Sequence, residues 1–154
     1  MEQIVIRQAR LGDLSEVAEM CHCLWPDADA AEHEQDLAPL LGGQCLGAFP
    51  GIVLLAQDTN GRIVGFIEVG LRSHADGCNP SRPVGFIEGW YVAPAHRRRR
   101  IGTRLVSAAE AWARNQGCTE MASDTWLEAF NSQRAHEALG FEVVDRCIHF
   151  RKQL

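Results

Sequence analysis

The stretch Gly89-Trp90-Tyr91-Val92-Ala93-Pro94-Ala95-His96-Arg97-Arg98-Arg99-Arg100-Ile101-Gly102-Thr103-Arg104-Leu105 constrains what this chain can fold into more than any other. It reads as an apolar strand ended by Pro94, a short basic turn, and a helix. Ile101, Leu105, Ala108, Ala109 and Trp112 recur at helical spacing, so that helix has one face to bury. The start of a helix leaves backbone N–H groups unpaired and carries the positive end of the helix dipole. With clustered guanidinium groups beside it, the turn suits a diphosphate-bearing ligand. The Gly-Lys-Ser/Thr ending of a nucleotide-binding loop is absent, which argues against an ATPase or GTPase. A solvated basic run or nucleic-acid patch is the plainer alternative. The position of the run, between an apolar strand and an amphipathic helix, tells against it.

Composition narrows the partners. With 154 residues, 46% of them apolar, residues 1–154 are expected to form a single domain with a full core. Twenty acidic against fifteen basic side chains give a net charge of −5. Because arginine is concentrated at positions 97–100, the remaining surface is more acidic still, which disfavours nucleic acid and suits a cationic small substrate. No apolar run approaches membrane-spanning length and the first residues lack a signal peptide's apolar region, so a cytoplasmic protein with no membrane partner is expected. Cysteines stand at 21, 23, 45, 78, 118 and 147, with no Cys-x-x-Cys pair and no matching histidine spacing. They are expected to be reduced and mostly buried, and no metal site is expected.

The rest of the chain alternates between the two periods. A first strand is predicted over residues 3–8. Asp13 and Glu16 have capping-box spacing before a helical stripe of Leu14, Val17, Ala18, Cys21 and Leu24-Trp25, which ends at Pro26. A second helix is predicted over 29–41, stopped by Gly42-Gly43. Residues 52–57 and 62–71 form a hairpin around Asp58-Thr59-Asn60-Gly61. An exposed loop, 72–82, precedes a buried strand over 83–92 that is interrupted by Glu88-Gly89. Then come a helix over 101–116, a strand over 119–124, a helix over 131–139 and two last strands, 141–144 and 146–152. The order β-α-α-β-β-β-α-β-α-β-β implies an α/β fold with one mixed, twisted sheet flanked by helices.

That order, with a phosphate-binding turn between the fourth strand and the third helix, resembles the GCN5-related N-acetyltransferase (GNAT) superfamily. The Arg/Gln-x-x-Gly-x-Gly/Ala signature falls on Arg97-Arg98-Arg99-Arg100-Ile101-Gly102, and the later Asn, helix, Gly-Phe pattern on Asn131 through Gly140-Phe141. Arg100 departs from the pattern, occupying the first glycine position. Within the superfamily the chain is most similar to the aminoglycoside 6′-N-acetyltransferases. Leu24-Trp25-Pro26, Gly77-Cys78, Phe86-Ile87-Glu88-Gly89, Met121-Ala122-Ser123-Asp124-Thr125 and His136-Glu137-Ala138-Leu139-Gly140-Phe141-Glu142 carry that likeness.

The resemblance implies acetyl-CoA as co-substrate, an aminoglycoside acceptor, and direct attack of the 6′-amine without an acetyl-enzyme. The amides and side chains of Arg97, Arg98, Arg99, Arg100, Ile101, Gly102 and Thr103 would hold the pyrophosphate. A backbone N–H near Tyr91-Val92 would polarise the thioester carbonyl, and Asn131 would meet the pantetheine arm unless it only caps its helix. Glu88, a carboxylate inside an apolar strand, must face a cleft or find an arginine. In the first case it would bind the ammonium and take its proton. Asp124 would bind amine groups, or else be a turn residue. His136 stands where many members have a tyrosine that protonates the leaving thiolate, and is as readily a packed helix histidine. Trp25 would stack on a sugar ring while Asp27 and Asp76 meet its ammonium groups; the alternative is a core tryptophan beside an ordinary solvated acidic face, and for each acid singly that is the plainer reading. A homodimer joined through carboxy-terminal strands is the usual assembly in the family. Acetylation of another cationic amine, or an acyl-CoA-binding module without turnover, shares the same cofactor-side residues.

Overall fold

The computed structural model describes residues 3–44 and 49–154, so the expectation of a buried Cys45 lies outside the described residues. Five strands form one sheet in the order β1-β2-β3-β4-β5: β1 (Val5–Gln8), β2 (Gly51–Gln57), β3 (Ile63–Arg72), β4 (Val84–Val92) and β5 (Met121–Ser123). The first four pair antiparallel, and β5 lies parallel to β4. The mixed sheet is therefore as predicted.

Helices α1 (Leu14–Leu24) and α2 (Ala30–Leu41) cover one face, and α3 (Ile101–Asn115) covers the other. The split follows from strand alternation, which sends successive side chains to opposite faces. Val53, Leu55 and Phe66 pack under α1 and α2, while Leu54, Ile67 and Ile87 meet Ile101, Leu105 and Ala109 of α3. Asp29 caps α2, accepting from the Glu32 N–H at 2.9 Å while Glu32 accepts from the Asp29 N–H at 2.8 Å. The capping box expected at Asp13 is not formed. Asp13 instead takes both oxygens to the Arg7 guanidinium, each at 2.8 Å, and accepts from the Arg10 N–H.

One local irregularity sets the geometry of the site. Glu68 faces Gly89 across the β3–β4 ladder but Val69 faces Ile87, so Glu88 is an unpaired extra residue, a β-bulge. With strict alternation, Ile87 and Trp90 would point to opposite faces. With the bulge both lie on the α3 side. Glu88 and Gly89 accordingly turn to the α1–α2 side together.

The predicted strands at 141–144 and 146–152 do not form. After α4 (Phe130–Ala138) the chain runs on without helix or ladder. Phe141 packs on the core and Val144 sits against Gly77, but Ile148 is 69% and Phe150 92% exposed. A strand needs a neighbour to satisfy its amides, and among the described residues this arm has none. The cysteines also depart from expectation in part: Cys21 and Cys118 are buried, whereas Cys23 and Cys147 are exposed. Among the described residues, no helix is long and apolar enough to cross a membrane and no cluster of metal-ligating side chains forms.

Candidate active site

Two structural features meet at the middle of β4. The first is an open strand edge. β5 pairs with β4 only from Gly85↔Met121 to Ile87↔Ser123, while β4 continues to Val92. Beyond Ile87 the two strands part. Ladder alternation then decides which amides face the gap. Because the Ala93 N–H donates to Val64 at 2.9 Å, residues 93, 91 and 89 bond towards β3, and the N–H and C=O groups of Trp90 and Val92 point outward. Of the two amides at Tyr91-Val92, where a thioester-polarising N–H is expected, that of Val92 faces the gap and that of Tyr91 does not. The Tyr91 side chain turns the other way, onto Phe66 and towards Cys23, where burial raises its phenol above the ordinary value and the Cys23 contact adds to the rise.

The gap leads to the basic turn. Arg97 donates from Nε to the Val92 carbonyl at 2.9 Å, closing the corner between strand and turn. The first backbone bond into α3 runs from Arg104 to Arg100, so the amides of Ile101, Gly102 and Thr103 stand ahead of it, as required of an anion cradle. Arg98 and Arg100 have φ of 62° and 61°. Arg100, at the first glycine position of the signature, is therefore outside helical geometry. It holds the left-handed conformation in which glycine is at ease and other L-residues lose about 1 kcal/mol or more. Gly102 is needed for a different reason than phosphate approach alone: a Cβ there would come 2.8 Å from Cζ2 of Trp90.

The second feature is a cavity of about 310 Å³ on the α1–α2 side, lined by Cys21, Trp25, His33, Asp36, Leu37, Glu68 and Glu88. Trp25 ends α1 and lies directly over Gly89, where a side chain would collide with its ring. Its position is fixed by His33, whose Nε2 donates to the Trp25 carbonyl at 3.1 Å. Glu88 opens into this space, with Arg72 gripping it by two bonds, Nη2 to Oε2 at 2.7 Å and Nε to Oε1 at 3.0 Å. Glu88 thus both lines a cleft and is satisfied by an arginine, the two placements that the sequence left open. The Arg72 guanidinium also lies 3.5 Å from the Phe86 ring centroid, which keeps it in place. A hollow of about 360 Å³ beside Arg7 and Arg10 is larger but contains none of these groups.

Asp124 follows the last paired residue of β5 as Glu88 follows Ile87, so the two residues stand where the strands part. Asp124 is exposed. Asp27 and Asp76 are exposed too, and neither lines the cavity. Asn131 lies in the first turn of α4, not at its cap, which is Ala129. His136 has both ring nitrogens engaged: Nδ1 donates to the Ser132 carbonyl at 2.8 Å, and Nε2 is hydrogen-bonded to the Ser123 hydroxyl at 2.9 Å. Its ring packs edge-on against Trp90 and Phe141, so it ties α4 to β5.

Glu68, Asp36 and Arg72 did not emerge from the sequence. For Glu68 the signal was there: it interrupts Ile63-Val64-Gly65-Phe66-Ile67-Glu68-Val69 as Glu88 interrupts its own strand. Burial pushes its carboxyl up to about 7, with Glu88 and then Asp36 adding to the rise.

Comparison with known proteins agrees with this geometry. Residues 14–141 match the model of the acetyltransferase (GNAT) family. An aminoglycoside N(6′)-acetyltransferase type 1 from Klebsiella aerogenes is 47% identical over 131 residues, 85% of this chain and 84% of that one. One from Stenotrophomonas maltophilia is 41% identical over 149 residues, 97% of this chain and 93% of its own. Among solved structures, AAC(6′)-Iy in complex with the bisubstrate analogue CoA-S-monomethyl-acetylneamine superposes with a TM-score of 0.86 at 35% identity, covering 99% of both chains. AAC(6′)-Ih from Acinetobacter baumannii gives the same TM-score at 32% identity, again over 99% of each.

Proposed function

This chain belongs to the acetyltransferase (GNAT) family, and from that premise we infer how its two-part site works. It is an aminoglycoside 6′-N-acetyltransferase that moves the acetyl group of acetyl-CoA to the 6′-amine of the antibiotic. One observation carries the reading: the open edge of β4 and the acidic cavity share Glu88, so a thioester and a cationic amine can meet there.

In this reading the pyrophosphate of the coenzyme lies on the amides of residues 101–103, with the guanidinium groups of Arg98 and Arg100 adding charge. The outward N–H of Val92 receives the thioester oxygen and stabilises the charge that develops on it during attack. Trp25 offers its face to a sugar ring, and Glu88 and Asp124 hold the amine beside the carbonyl. Glu88 uses one oxygen lone pair on each Arg72 contact and has others left for the ammonium, so Arg72 orients the carboxylate without consuming it. The amine loses its proton to Glu88 or to water held there before attack. His136 is taken as a support for β5 and Trp90, not as the thiolate's proton donor, because both its ring nitrogens are already engaged within the fold.

The unpartnered arm 141–154 suits assembly: with Ile148 and Phe150 exposed and no ladder of their own, these residues gain a neighbour in a second copy of the chain. We take the protein to be a homodimer acting in the cytoplasm. Light scattering should give twice the chain mass, and Phe150→Asp should shift it to one. Thiol release from acetyl-CoA tests the activity. Turnover is expected with acceptors bearing a free 6′-amine and not with a 6′-hydroxyl analogue, and equal rates with a simple polyamine would overturn the aminoglycoside reading.

A further inference from the structure

Glu68 has no role in the account above. It projects from the middle of β3, opposite Gly89, into the cavity where Trp25 and Glu88 meet. No described residue donates a hydrogen bond to it. The charged and titratable groups facing it are Cys21 from α1, His33 and Asp36 from α2 and Glu88 from β4. Arg72, the nearest cation in sequence on its own strand, is committed to Glu88. His33 is likewise committed, to the Trp25 carbonyl. A carboxyl group kept in such a place without a partner is costly, and an apolar residue would serve the core better. A cationic ligand supplies what is missing.

We propose that Glu68 is a direct contact for a second ammonium group of the acceptor, so that Glu68 and Glu88 together read a pair of positive charges under Trp25. The proposal rests on the aminoglycoside reading and deepens it: the enzyme selects for charge beyond the reacting amine. A consequence separates this from a purely structural role. The free protein holds Glu68 partly protonated near neutral pH, because burial disfavours the charge. An ammonium entering the cavity favours the carboxylate, so Glu68 gives its proton to solvent as the ligand binds. No bond to carbon changes, and the only transfer is of that proton to the buffer.

The test is calorimetric titration of wild type, Glu68→Gln and Glu68→Asp with kanamycin at about pH 7, in two buffers of different ionisation enthalpy. Wild type should release about half a proton per site from Glu68, as expected for a group titrating near that pH. Glu68→Gln should lose that component and bind kanamycin about tenfold more weakly, with the affinity for acetyl-CoA unaltered. Glu68→Asp should retain the release. An unchanged affinity and proton count in Glu68→Gln overturn the proposal. Should that variant fail to fold, the absence of proton release by wild type does the same. Kanamycin-dependent thiol release by wild type tests the parent reading separately: without it both fall, and with it an unaffected Glu68→Gln removes only this inference.

Discussion

The turn over residues 97–103 and the cavity under Trp25 are built in opposite ways. The turn is one contiguous piece of chain, and most of what it offers is backbone: amides ahead of the first helical bond, displayed by a corner that Arg97 closes onto Val92. The cavity draws single side chains from α1, α2, β3 and β4, and what it offers is carboxylate and aromatic surface. A site made of backbone tolerates changes of side chain and fails when the corner changes shape. A site made of side chains fails one residue at a time. The two halves should therefore separate cleanly under mutation, and each substitution below attacks one of them.

The largest effect is expected at Glu88, where the halves touch. Glu88→Ala removes the carboxylate proposed to meet the amine and takes from the Arg72 guanidinium its carboxylate partner. The expected loss in kcat/KM for the aminoglycoside is about a hundredfold or more. The dissociation constant of acetyl-CoA, measured by calorimetry, should move less than about twofold. A loss confined to coenzyme binding would show that the boundary between the halves is misdrawn.

Stability against pH probes the cavity alone. The folded-state value for Glu68 is raised from 4.5 to about 7, so the native state holds its proton through a window in which the unfolded chain has released it. The stability contributed by that bound proton is complete below about 4.5 and is lost as pH rises through about 7. Glu68→Gln cannot lose it. In denaturant titrations, wild type should weaken against this variant by roughly 2 kcal/mol between about pH 5 and pH 8. Parallel pH curves for the two proteins would mean that water reaches Glu68 freely.

The contrast between the halves also explains what could be read before folding. The turn was legible because its parts are adjacent: strand, proline, arginines and helix face lie within one stretch, and the open edge beside it follows from the next strand's shortness. Helix α3 was placed to within one residue at its end for the same reason. The cavity was legible only where a carboxylate or tryptophan stood out against its own neighbours. Trp25 and Glu88 did. Asp36 sits on a helix already rich in acids, so nothing local marks it as the one facing inward, and Arg72, which the sequence puts at the head of a loop, is the last residue of β3. Asp27 and Asp76 carry the right charge, but charge says nothing about direction, and both are exposed. The final strands failed for a stronger reason: their residue pattern says nothing about a neighbour, and among the described residues no strand lies beside them to pair with.

Gly102→Ala attacks the turn through its packing. The added methyl would sit 2.8 Å from the Trp90 ring, whose indole N–H is already buried without a partner, so α3 must shift on β4. A cost of about 1–3 kcal/mol in stability is expected, as for other overpacked contacts. Coenzyme affinity should fall with it, because the amides of residues 101–103 ride on that helix. Acceptor affinity should not. If KM for the aminoglycoside rose instead, Trp90 would couple the halves through Gly89 and Trp25.

Arg100→Gly has the smallest expected effect, and its two components point in opposite directions. The backbone at Arg100 has φ of 61° and ψ of 12°, so glycine relieves a left-handed residue of about 1 kcal/mol, partly offset by its greater freedom when unfolded. For a chain of this length that is a rise of roughly 2–4 °C in Tm. The same change removes a guanidinium beside the amides assigned to the pyrophosphate. An exposed charge of this kind contributes up to about 1 kcal/mol at low salt and little at high salt. Acetyl-CoA affinity should therefore fall roughly threefold in dilute buffer and recover in concentrated salt, while Tm stays raised in both. Loss of affinity that ignores salt would mean that Arg100 shapes the corner itself, and that the turn depends on a side chain after all.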